Sequence, residues 1–409
     1  MFVEKTDLQI AKLIKKEEKR QEETLNLIAS ENYPSKVVRE ALSSIFIAKY
    51  AEGRPYKRYY AGQENIDKLE TLVEERARKA FGLNPKKWAV NVQPYSGSPA
   101  NYAILRGLLM PGDKILALPL SHGGHLTHGA SASLSGQDFK VINYFLNQEG
   151  LLDYKEIEKI AQKGKPKLII CGFTAYPRKI DFRKFSQIAK KVGAYLLVDT
   201  SHIAGLIVGG VHPSPFPWAD VVMTTTHKTL RGPRGAMIIC KKELEKKIFP
   251  KVFPGIQGGP HEHTICAIGV ALKEAMTPQF KKYAQQIVKN TKALAEELKK
   301  YNFKLISGGS DNHLVLIDLR NKGITGKISQ ELLEKAGIVV NRNAVPYDPQ
   351  PPFDPSGMRL GTAAVTTRGM KEKEMRKIAI WINEVISNQK SILKVRKEVK
   401  KFCQKFPIP

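Results

Sequence analysis

The chain has 409 residues, enough for a large α/β domain and a smaller second one. Hydrophobic residues make up 42% and charged residues 26%, which is typical of a packed globular protein and argues against disorder. Lysine and arginine number 66 against 39 acidic residues, a net charge of +27 that prompts a search for a nucleic-acid or membrane partner.

The positive charge is spread along the chain and marks no single binding face. Much of it lies in helical stretches such as KKEEKRQEE, EELKKYNFK and KVRKEVKKF, and no RRM, KH or zinc-finger signature occurs. There is no run of about 18 apolar residues and no apolar signal core. We therefore expect no membrane partner and no main role in nucleic-acid binding, while a basic RNA-binding protein without catalysis stays open as an alternative.

The cysteines indicate a reducing compartment. Cys171, Cys240, Cys266 and Cys403 lie far apart, and none forms a C-x-x-C pair. This spacing argues against both a zinc knuckle and a disulfide framework. A cytoplasmic location is the resulting expectation.

In chain order, the predicted elements describe an α/β domain. Apolar spacing predicts a helix within residues 6–26, then a loop-rich segment, then a helix over 64–81. Beyond these, helical patterns alternate with the predicted strands WAVNV, KILALPL, KLIICGF, AYLLVD, DVVMTTT and GAMIIC. That order predicts a mostly parallel sheet wrapped by helices.

Composition changes near Pro278, where a long charged helical stretch leads into further short strands and a last helix over 371–388. We predict an N-terminal arm and large domain over residues 1–278 and a smaller C-terminal α+β domain over residues 279–409. The proline-rich segment VPYDPQPPFDPSG is predicted to be a surface loop before the strand that carries Arg359.

Polar residues follow several predicted strands, at the edge where open α/β sheets bind ligands. They are Ser96, Gly97 and Ser98; Thr174; Asp199 and His202; and His227 and Lys228. The Ser-Gly-Ser segment could hold a phosphate at a helix N-terminus, or be an ordinary cap and turn. No P-loop occurs, because NKGITGKIS has Asn321 where the first glycine belongs, and no G-x-G-x-x-G opens a βα unit, which argues against nucleotide cofactors.

Three histidines in SHGGHLTHG, His122, His125 and His128, suggest a metal site at first sight. No nearby Asp, Glu or Cys completes a ligand set, so we predict no metal. A loop histidine with ordinary hydrogen bonds, or an imidazole stacked on an aromatic cofactor, are the other interpretations.

Asp199 and Lys228 form the more informative pair. A lysine amine that binds an aldehyde and a carboxylate that keeps a pyridine nitrogen protonated are what a pyridoxal phosphate enzyme needs. Spacing alone leaves an ordinary solvated lysine as the alternative.

Nine sequence blocks carry a resemblance to a known family: LIASENYPS, KYAEG, KRYYAG, NVQPYSGSPAN, SHGGHLTHG, TTTHKTLRGPRG, FPGIQGGP, SGGSDNHL and GMRLGT. Over essentially its whole length the chain resembles the serine hydroxymethyltransferases. The resemblance implies the aspartate aminotransferase fold, fold type I of the pyridoxal phosphate enzymes, with a mostly parallel seven-stranded sheet in the large domain.

The resemblance also implies roles for individual residues. Lys228 binds pyridoxal phosphate, Asp199 pairs with the ring nitrogen and His125 stacks on the ring. The other implied cofactor contacts are Ser96, Gly97, Ser98, Thr174 and His202, with Tyr50 and Gly259 reaching in from the neighbouring subunit of a homodimer.

For the substrates, the resemblance implies that Arg359 grips the amino-acid carboxylate, with Ser30 and His202 beside it. Glu52 is the implied acid/base residue and Tyr60 lies near it, and Thr225 and His227 join Lys228 in the implied catalytic set. The implied folate contacts are Leu120, Gly123, Gly124, Leu126 and Asn343.

The implied reaction is the reversible transfer of the serine hydroxymethyl group to tetrahydrofolate, giving glycine and 5,10-methylenetetrahydrofolate. Departures from the family pattern are Thr200 and Ser201 in DTSH, where a small apolar residue is usual before the histidine, and Thr174 in place of a common serine. These keep two alternatives open: a folate-independent aldolase acting on threonine-like β-hydroxy amino acids, and a transferase acting on α-methylserine.

Overall fold

The apolar runs of the sequence form strands and the amphipathic stretches form helices in the computed structural model, which describes residues 2–409. The strands are β1 Leu25–Asn26, β2 Gly53–Arg54, β3 Lys57–Arg58, β4 Trp88–Asn91, β5 Lys114–Ala117, β6 Lys140–Asn143, β7 Leu168–Gly172, β8 Tyr195–Asp199, β9 Val221–Thr225, β10 Ala236–Lys241, β11 Lys304–Leu305, β12 Leu314–Asp318, β13 Ile338–Val339, β14 Asn341–Asn343 and β15 Gly357–Gly361. The α-helices are α1 Phe2–Thr6, α2 Leu8–Glu22, α3 Lys36–Leu42, α4 Glu64–Ala80, α5 Gly97–Leu108, α6 Leu134–Asp138, α7 Tyr154–Gly164, α8 Phe182–Val192, α9 Ala204–Val208, α10 Glu245–Val252, α11 Glu262–Ala275, α12 Pro278–Lys300, α13 Gly326–Lys335, α14 Ala363–Thr367, α15 Glu372–Ser387 and α16 Ile392–Cys403.

A seven-stranded sheet in the order β4-β10-β9-β8-β7-β5-β6 organises the larger part of the molecule. Neighbouring strands from β9 to β6 run parallel, and β10 runs antiparallel to both β9 and β4. Successive side chains of a strand point to opposite faces: Leu168 and Ile170 enter one apolar core, and Ile169 and Cys171 enter another. Helices therefore cover both faces, and the predicted α/β fold with a mostly parallel seven-stranded sheet is confirmed.

The strand directions bring distant segments to one edge of this sheet. Because β10 is antiparallel to both neighbours, β4 points the same way as β9, and the carboxyl ends of β4, β7, β8 and β9 share one edge. The chain that follows these strands carries Ser96, Thr174, Asp199 and Lys228. The predicted strand ends are thus neighbours in space although they lie far apart in sequence.

A second, antiparallel sheet, β11-β12-β15-β14, has a core of its own that includes Val315, Leu360 and Trp381. Helix α12 contributes to both cores, with Phe280 and Ile287 in the first and Leu294 and Leu298 in the second. Its first residue is Pro278, so a boundary after residue 278 falls inside an element that both parts share. The division into residues 1–278 and 279–409 stays a prediction.

The helix predicted within residues 6–26 ends earlier, at Glu22. The next residues form β1, which pairs in parallel with β13 and places Leu25 and Leu27 in the second core. Arg368 stabilises the helix end, because its guanidinium donates to the carbonyls of Gln21, Glu22 and Thr24 at 2.7–3.3 Å. A tertiary partner thus ends a helix that the local pattern would continue.

Nowhere in residues 2–409 does a helix have the length and apolar character needed to cross a bilayer.

Candidate functional site

A cleft of about 250 Å³ opens at the carboxyl edge of the large sheet. Its walls contain eleven of the residues predicted for the site: Ser30, Ser96, Gly97, Ser98, His125, Thr174, Asp199, His202, Thr225, His227 and Lys228. Residues from six separate stretches of the chain thus meet in one place.

Lys228 occupies the end of the threonine row that follows β9. The chain turns back sharply after it, because Gly232 N donates to the Thr226 carbonyl (2.7 Å) and Thr226 Oγ1 donates to that of Pro233 (2.6 Å). The lysine is 8% exposed, and within residues 2–409 no group accepts a hydrogen bond from its amine. Burial lowers the pKa of Lys228 to about 8, with Arg359 and Arg234 adding to the effect and Asp199 opposing it. At pH 7 about a tenth of this amine is therefore neutral and nucleophilic, whereas an ordinary lysine is almost entirely protonated.

Two buried polar atoms beside Lys228 lack protein partners. Thr225 Oγ1 and His227 Nδ1 are shielded from solvent and make no hydrogen bond to any group in residues 2–409. Burial, followed by the positive charges of Lys228 and Arg234, lowers the pKa of His227 to about 3, so its ring is neutral. Unpaired buried polar atoms are costly, which indicates that this wall is built to contact a polar ligand.

Asp199 provides the opposite charge in the cleft. Its Oδ2 lies 3.0 Å from both Asn101 Nδ2 and His128 Nε2, and its Oδ1 accepts from Ser201 N at 3.0 Å. Burial by itself would raise the pKa of Asp199, but the hydrogen bond from His128 and the other donors hold it well below the usual range. The carboxylate is therefore ionised and fixed in orientation.

His125 presents a neutral ring to the same cleft. Burial lowers its pKa to about 4. Its Nδ1 accepts from Thr127 N (3.2 Å) and contacts Thr127 Oγ1 (2.7 Å), which in turn accepts from Asn101. An uncharged, tethered imidazole suits stacking on an aromatic ring.

The Ser96-Gly97-Ser98 segment begins helix α5. Ser96 occupies the N-cap position, yet its side chain makes no capping hydrogen bond, so the hydroxyl remains available. A Cβ atom on Gly97 would stand 2.8 Å from Thr225 Cγ2, so only glycine fits there. Of the two interpretations left open by the sequence, this geometry favours anion binding.

Arg359 on β15 lies next to the cleft and is 8% exposed. Its Nη1 donates to the Thr174 carbonyl and its Nε to Asn341 Oδ1 (3.1 Å), and no carboxylate in residues 2–409 pairs with it. Burial lowers the pKa of Arg359 to about 10, which still leaves it charged at neutral pH. A buried guanidinium without a counter-ion is suited to binding a substrate carboxylate.

Four predicted site residues do not reach this cleft and instead lie together elsewhere. Tyr50, Glu52, Tyr60 and Gly259 form what we call the tyrosine patch: the rings of Tyr50 and Tyr60 meet edge to face at 5.3 Å, and a Cβ on Gly259 would stand 3.0 Å from the Tyr50 ring. Tyr50 is 56% and Tyr60 45% exposed. The patch therefore presents its aromatic groups outward and not into the cleft of its own chain.

Comparison with known proteins agrees with this geometry. The sequence profile described as serine hydroxymethyltransferase matches residues 3–382. A serine hydroxymethyltransferase of Desulfotalea psychrophila (strain LSv54 / DSM 12343) is 54% identical over 410 residues, covering 100% of this chain and 96% of that protein. The chain belongs to the serine hydroxymethyltransferase family. The resemblance seen in the sequence is thereby confirmed, as is membership of fold type I, and this family uses pyridoxal phosphate with tetrahydrofolate as co-substrate.

The residues expected to contact folate in a serine hydroxymethyltransferase lie on segments next to Thr174 and Arg359. Leu120 and Leu126 are about half exposed, and Gly123 and Gly124 are held between them because Thr174 donates to both glycine carbonyls. Asn343 lies on β14, which pairs with the strand of Arg359. Thr174, whose carbonyl accepts from Arg359, thus joins the loop of residues 120–126 to the arginine predicted to bind the substrate carboxylate.

The departures from the serine hydroxymethyltransferase pattern are accommodated by local hydrogen bonds. Ser201 lines the cleft, and its hydroxyl accepts from Thr225 N at 3.1 Å. Thr200 donates to the Met223 carbonyl at 3.1 Å. Both hydroxyls therefore tie the end of β8 to β9, and neither is left free to react.

The three loop histidines separate in the structure. His125 and His128 face the cleft, whereas His122 accepts from Leu146 N and packs its ring against Phe145 and Tyr347. In the described part of the chain, no group of three or more His, Cys, Asp or Glu side chains is arranged to hold a metal ion.

Sequence reasoning missed three residues of the site. Asn101 and His128 orient Asp199, and His313 Nε2 lies 3.1 Å from His202 Nδ1 in a fully buried pair. His128 was visible as one of three histidines, but the spacing suggested a metal. Asn101 and His313 lie inside two of the nine blocks, NVQPYSGSPAN and SGGSDNHL, but their spacing indicated no role, because only the tertiary structure brings them to the strand ends.

Proposed function

We propose that the protein catalyses the reversible transfer of the serine hydroxymethyl group to tetrahydrofolate, giving glycine and 5,10-methylenetetrahydrofolate. The observation that carries the proposal is the cleft itself, in which a buried amine without a partner, Lys228, shares a wall with the ionised carboxylate of Asp199. The relationship to the Desulfotalea psychrophila serine hydroxymethyltransferase supports the same reaction.

The residues present fit pyridoxal phosphate. We infer that Lys228 holds the aldehyde carbon, Asp199 the ring nitrogen and His125 the ring face, while Ser96, Gly97 and Ser98 hold the phosphate. Thr174 and His202 complete the cofactor wall. When bound, the cofactor supplies a ring that accepts electrons from the bond being broken.

Arg359 fixes the substrate amino acid. Its uncompensated guanidinium would bind the carboxylate, with Ser30 and His202 beside it, and would so hold the amino acid in one orientation. The free Thr225 Oγ1 and His227 Nδ1 atoms hold polar groups of the bound ligands in place.

Glu52 moves protons at the hydroxymethyl group, and Tyr60 beside it shapes that end of the site. Since both residues lie in the tyrosine patch and not in the cleft wall of their own chain, we infer that they act in the cleft of a second copy. Tyr50 and Gly259 reach the cofactor phosphate by the same route. The functional unit is then a homodimer with shared active sites.

The folate co-substrate is placed by Leu120, Gly123, Gly124, Leu126 and Asn343 at the cleft mouth. The folate-independent aldolase is not favoured, because the chain carries all five of these residues expected to contact folate. With its four cysteines unpaired, the protein suits a reducing compartment, and we place it in the cytoplasm with no membrane or nucleic-acid partner.

The test is serine cleavage by the purified protein with and without tetrahydrofolate. We expect glycine formation to depend on tetrahydrofolate and to disappear in Lys228→Ala, which should also lack the pyridoxyl group that borohydride fixes on Lys228 of the parent protein. Equal rates with and without tetrahydrofolate would favour the aldolase, and salt-sensitive RNA retention without cofactor colour would favour the RNA-binding alternative.

A further inference from the structure

A buried cluster of charged residues lies behind the loop that carries Glu52. This acid cluster consists of Arg58 on β3, Asp67 and Glu70 on α4, and Glu262 at the start of α11. Glu70 and Glu262 are 0% exposed. Arg58 Nε lies 2.8 Å from Asp67 Oδ1. Arg58 Nη2 lies 2.8 Å from Glu70 Oε1, and this second contact is an ion pair without hydrogen-bond geometry. One guanidinium thus faces three carboxyl groups.

Glu262 is the member of the cluster without a donor. Both of its side-chain oxygens are buried, and neither accepts a hydrogen bond from residues 2–409. Burial, and next the negative charge of Glu70 within hydrogen-bonding reach, raise the pKa of Glu262 far above its usual value, while Arg58 opposes the shift and Asp67 adds to it. In a neutral Glu262 the protonated oxygen has an acceptor in Glu70, and the remaining carbonyl oxygen is less costly to bury than a carboxylate.

The acid cluster holds the backbone on both sides of Glu52. Arg58 Nη1 donates to the carbonyls of Ala51 and Gly53, each at 3.0 Å. Gln93 Nε2 donates to the Gly53 carbonyl (2.8 Å) and to Glu70 Oε2 (2.9 Å). The two donors that fix the peptide groups flanking Glu52 are therefore themselves held by Glu70.

The same hydrogen-bond network reaches the segment that carries Gly259 of the tyrosine patch. Gln257, two residues before Gly259, donates through Nε2 to the Gln93 carbonyl at 2.7 Å and accepts from Tyr95 N at 3.2 Å. Displacement of Glu70 would therefore disturb the Glu52 loop and the Gly259 loop together.

We propose that Glu262 and Glu70 form a carboxylic acid–carboxylate pair that shares one proton and positions the Glu52 loop. Both are positioning residues, and the inference rests on the proposed role of Glu52 in proton transfer. With the proton in place, the cluster carries one positive and two negative charges. Loss of the proton sets two buried carboxylates against each other and weakens the hold of Glu70 on Arg58 and Gln93.

Infrared difference spectroscopy on the holoprotein tests the protonation state. The spectrum of the parent protein minus that of Glu262→Gln should contain the C=O stretch of a protonated carboxylic acid at neutral pH. The matched control is Glu297→Gln, a buried glutamate whose Oε2 pairs with Lys300 at 2.8 Å and whose difference spectrum should contain only carboxylate bands. A carboxylate signal from Glu262 at neutral pH would overturn the proposal.

Kinetics test the positioning role. In Glu262→Leu, which keeps the volume and loses the donor, kcat for folate-dependent transfer should fall by about tenfold or more, while KM for serine stays within about threefold because Arg359 is untouched. Glu262→Gln, whose amide N–H can donate to Glu70, should keep kcat within about threefold of the parent. Equal kcat in the Leu variant and the parent would contradict the proposal.

Glu52→Gln, measured alongside, separates the two hypotheses. Full transfer by Glu52→Gln would remove the proposed role of Glu52 itself. Slow transfer by Glu52→Gln with normal transfer by Glu262→Leu would overturn only the positioning of its loop. If Glu262→Leu does not fold, the infrared difference spectrum of Glu262→Gln decides.

Discussion

At the scale of single residues, the site consists of charges buried without their usual partners. Within residues 2–409, the Lys228 amine makes no hydrogen bond or ion pair, Arg359 pairs with no carboxylate, and Thr225 and His227 keep polar atoms without hydrogen bonds. Each such group destabilises the fold when no ligand is bound. A protein keeps such destabilising groups where bound ligands supply the missing partners. These residues therefore indicate a function and not a contribution to stability.

The buried amine leads to a prediction about pH. The pKa of Lys228 is about 8 in the folded protein against an ordinary 10.5, so the folded state binds the proton less tightly than the unfolded state. The charged amine then destabilises the cofactor-free protein fully below pH 8, and this effect fades as pH rises towards 10.5. Lys228→Met should raise the free energy of unfolding at pH 7 by up to about 3 kcal/mol, and Tm should rise with it. The gain should shrink above pH 8. Thermal unfolding of both proteins across this pH range measures it, with the exposed Lys163→Met as control; a gain independent of pH would count against a charged, buried amine.

The second residue-scale prediction concerns Arg359. Replacement by lysine keeps the charge and removes the planar pair of donors that match a carboxylate. We expect Arg359→Lys to raise KM for serine by about 10- to 100-fold. Steady-state kinetics measure KM, and cofactor absorbance serves as the control because the cofactor contacts remain. An unchanged KM would mean that the carboxylate binds elsewhere.

At the scale of elements, the start of α5 connects the phosphate-binding segment to β9. Gly97 is the first helical residue. A Cβ atom built on it would lie nearest to the methyl group of Thr225, at the end of β9. A side chain at this position would push the helix N-terminus away from the strand. The distance between these two elements therefore sets the shape of the proposed phosphate site.

This close approach predicts the effect of a small change. Gly97→Ala should weaken pyridoxal phosphate binding by about tenfold or more, because the added Cβ would stand 2.8 Å from Thr225 Cγ2. The double variant Gly97→Ala/Thr225→Ser removes that methyl group, keeps the hydroxyl, and should recover most of the affinity. Spectroscopic cofactor titration measures both. Equal losses in the single and double variants would show that the methyl contact is not the cause.

At the scale of the whole molecule, the proposed active site is divided between the cleft and the tyrosine patch. Lys228 belongs to the first and Glu52 to the second, and the two surfaces of one chain do not form a common pocket. In the proposed homodimer, the patch of each copy would meet the cleft of the other. Catalysis would then depend on association, although every chain carries a full set of residues.

Complementation tests this arrangement. Lys228→Ala and Glu52→Gln should each be inactive alone, but mixed dimers contain one site with both lesions and one with none. Random pairing of equal amounts should therefore recover about a quarter of the parent activity. Co-refolded mixtures are measured against each variant refolded alone. If no activity returns, Glu52 acts within the cleft of its own chain.

The sequence by itself determined the fold class and most of the cleft. Apolar runs ending in Asp199, Thr174 and the threonine row of Lys228 predicted parallel strands, and parallel strands place their carboxyl ends at one edge. Eight of the eleven cleft residues were predicted from strand ends, whereas the roles of Ser30, His125 and Thr225 came from the family resemblance. Local patterning predicts a shared edge because parallel strands align their carboxyl ends, whatever the order of the strands in the sheet.

Only the tertiary structure decided what orients those residues. Spacing along the chain does not assign Asn101 and His128 to Asp199, His313 to His202, or Glu262 to the Glu52 loop, although the first three lie in blocks that carry the family resemblance. Their importance comes from burial and from distances between groups far apart in the chain. A sequence displays the spacing of side chains along the backbone, whereas pKa values and hydrogen bonds depend on spacing in three dimensions, which exists only after folding.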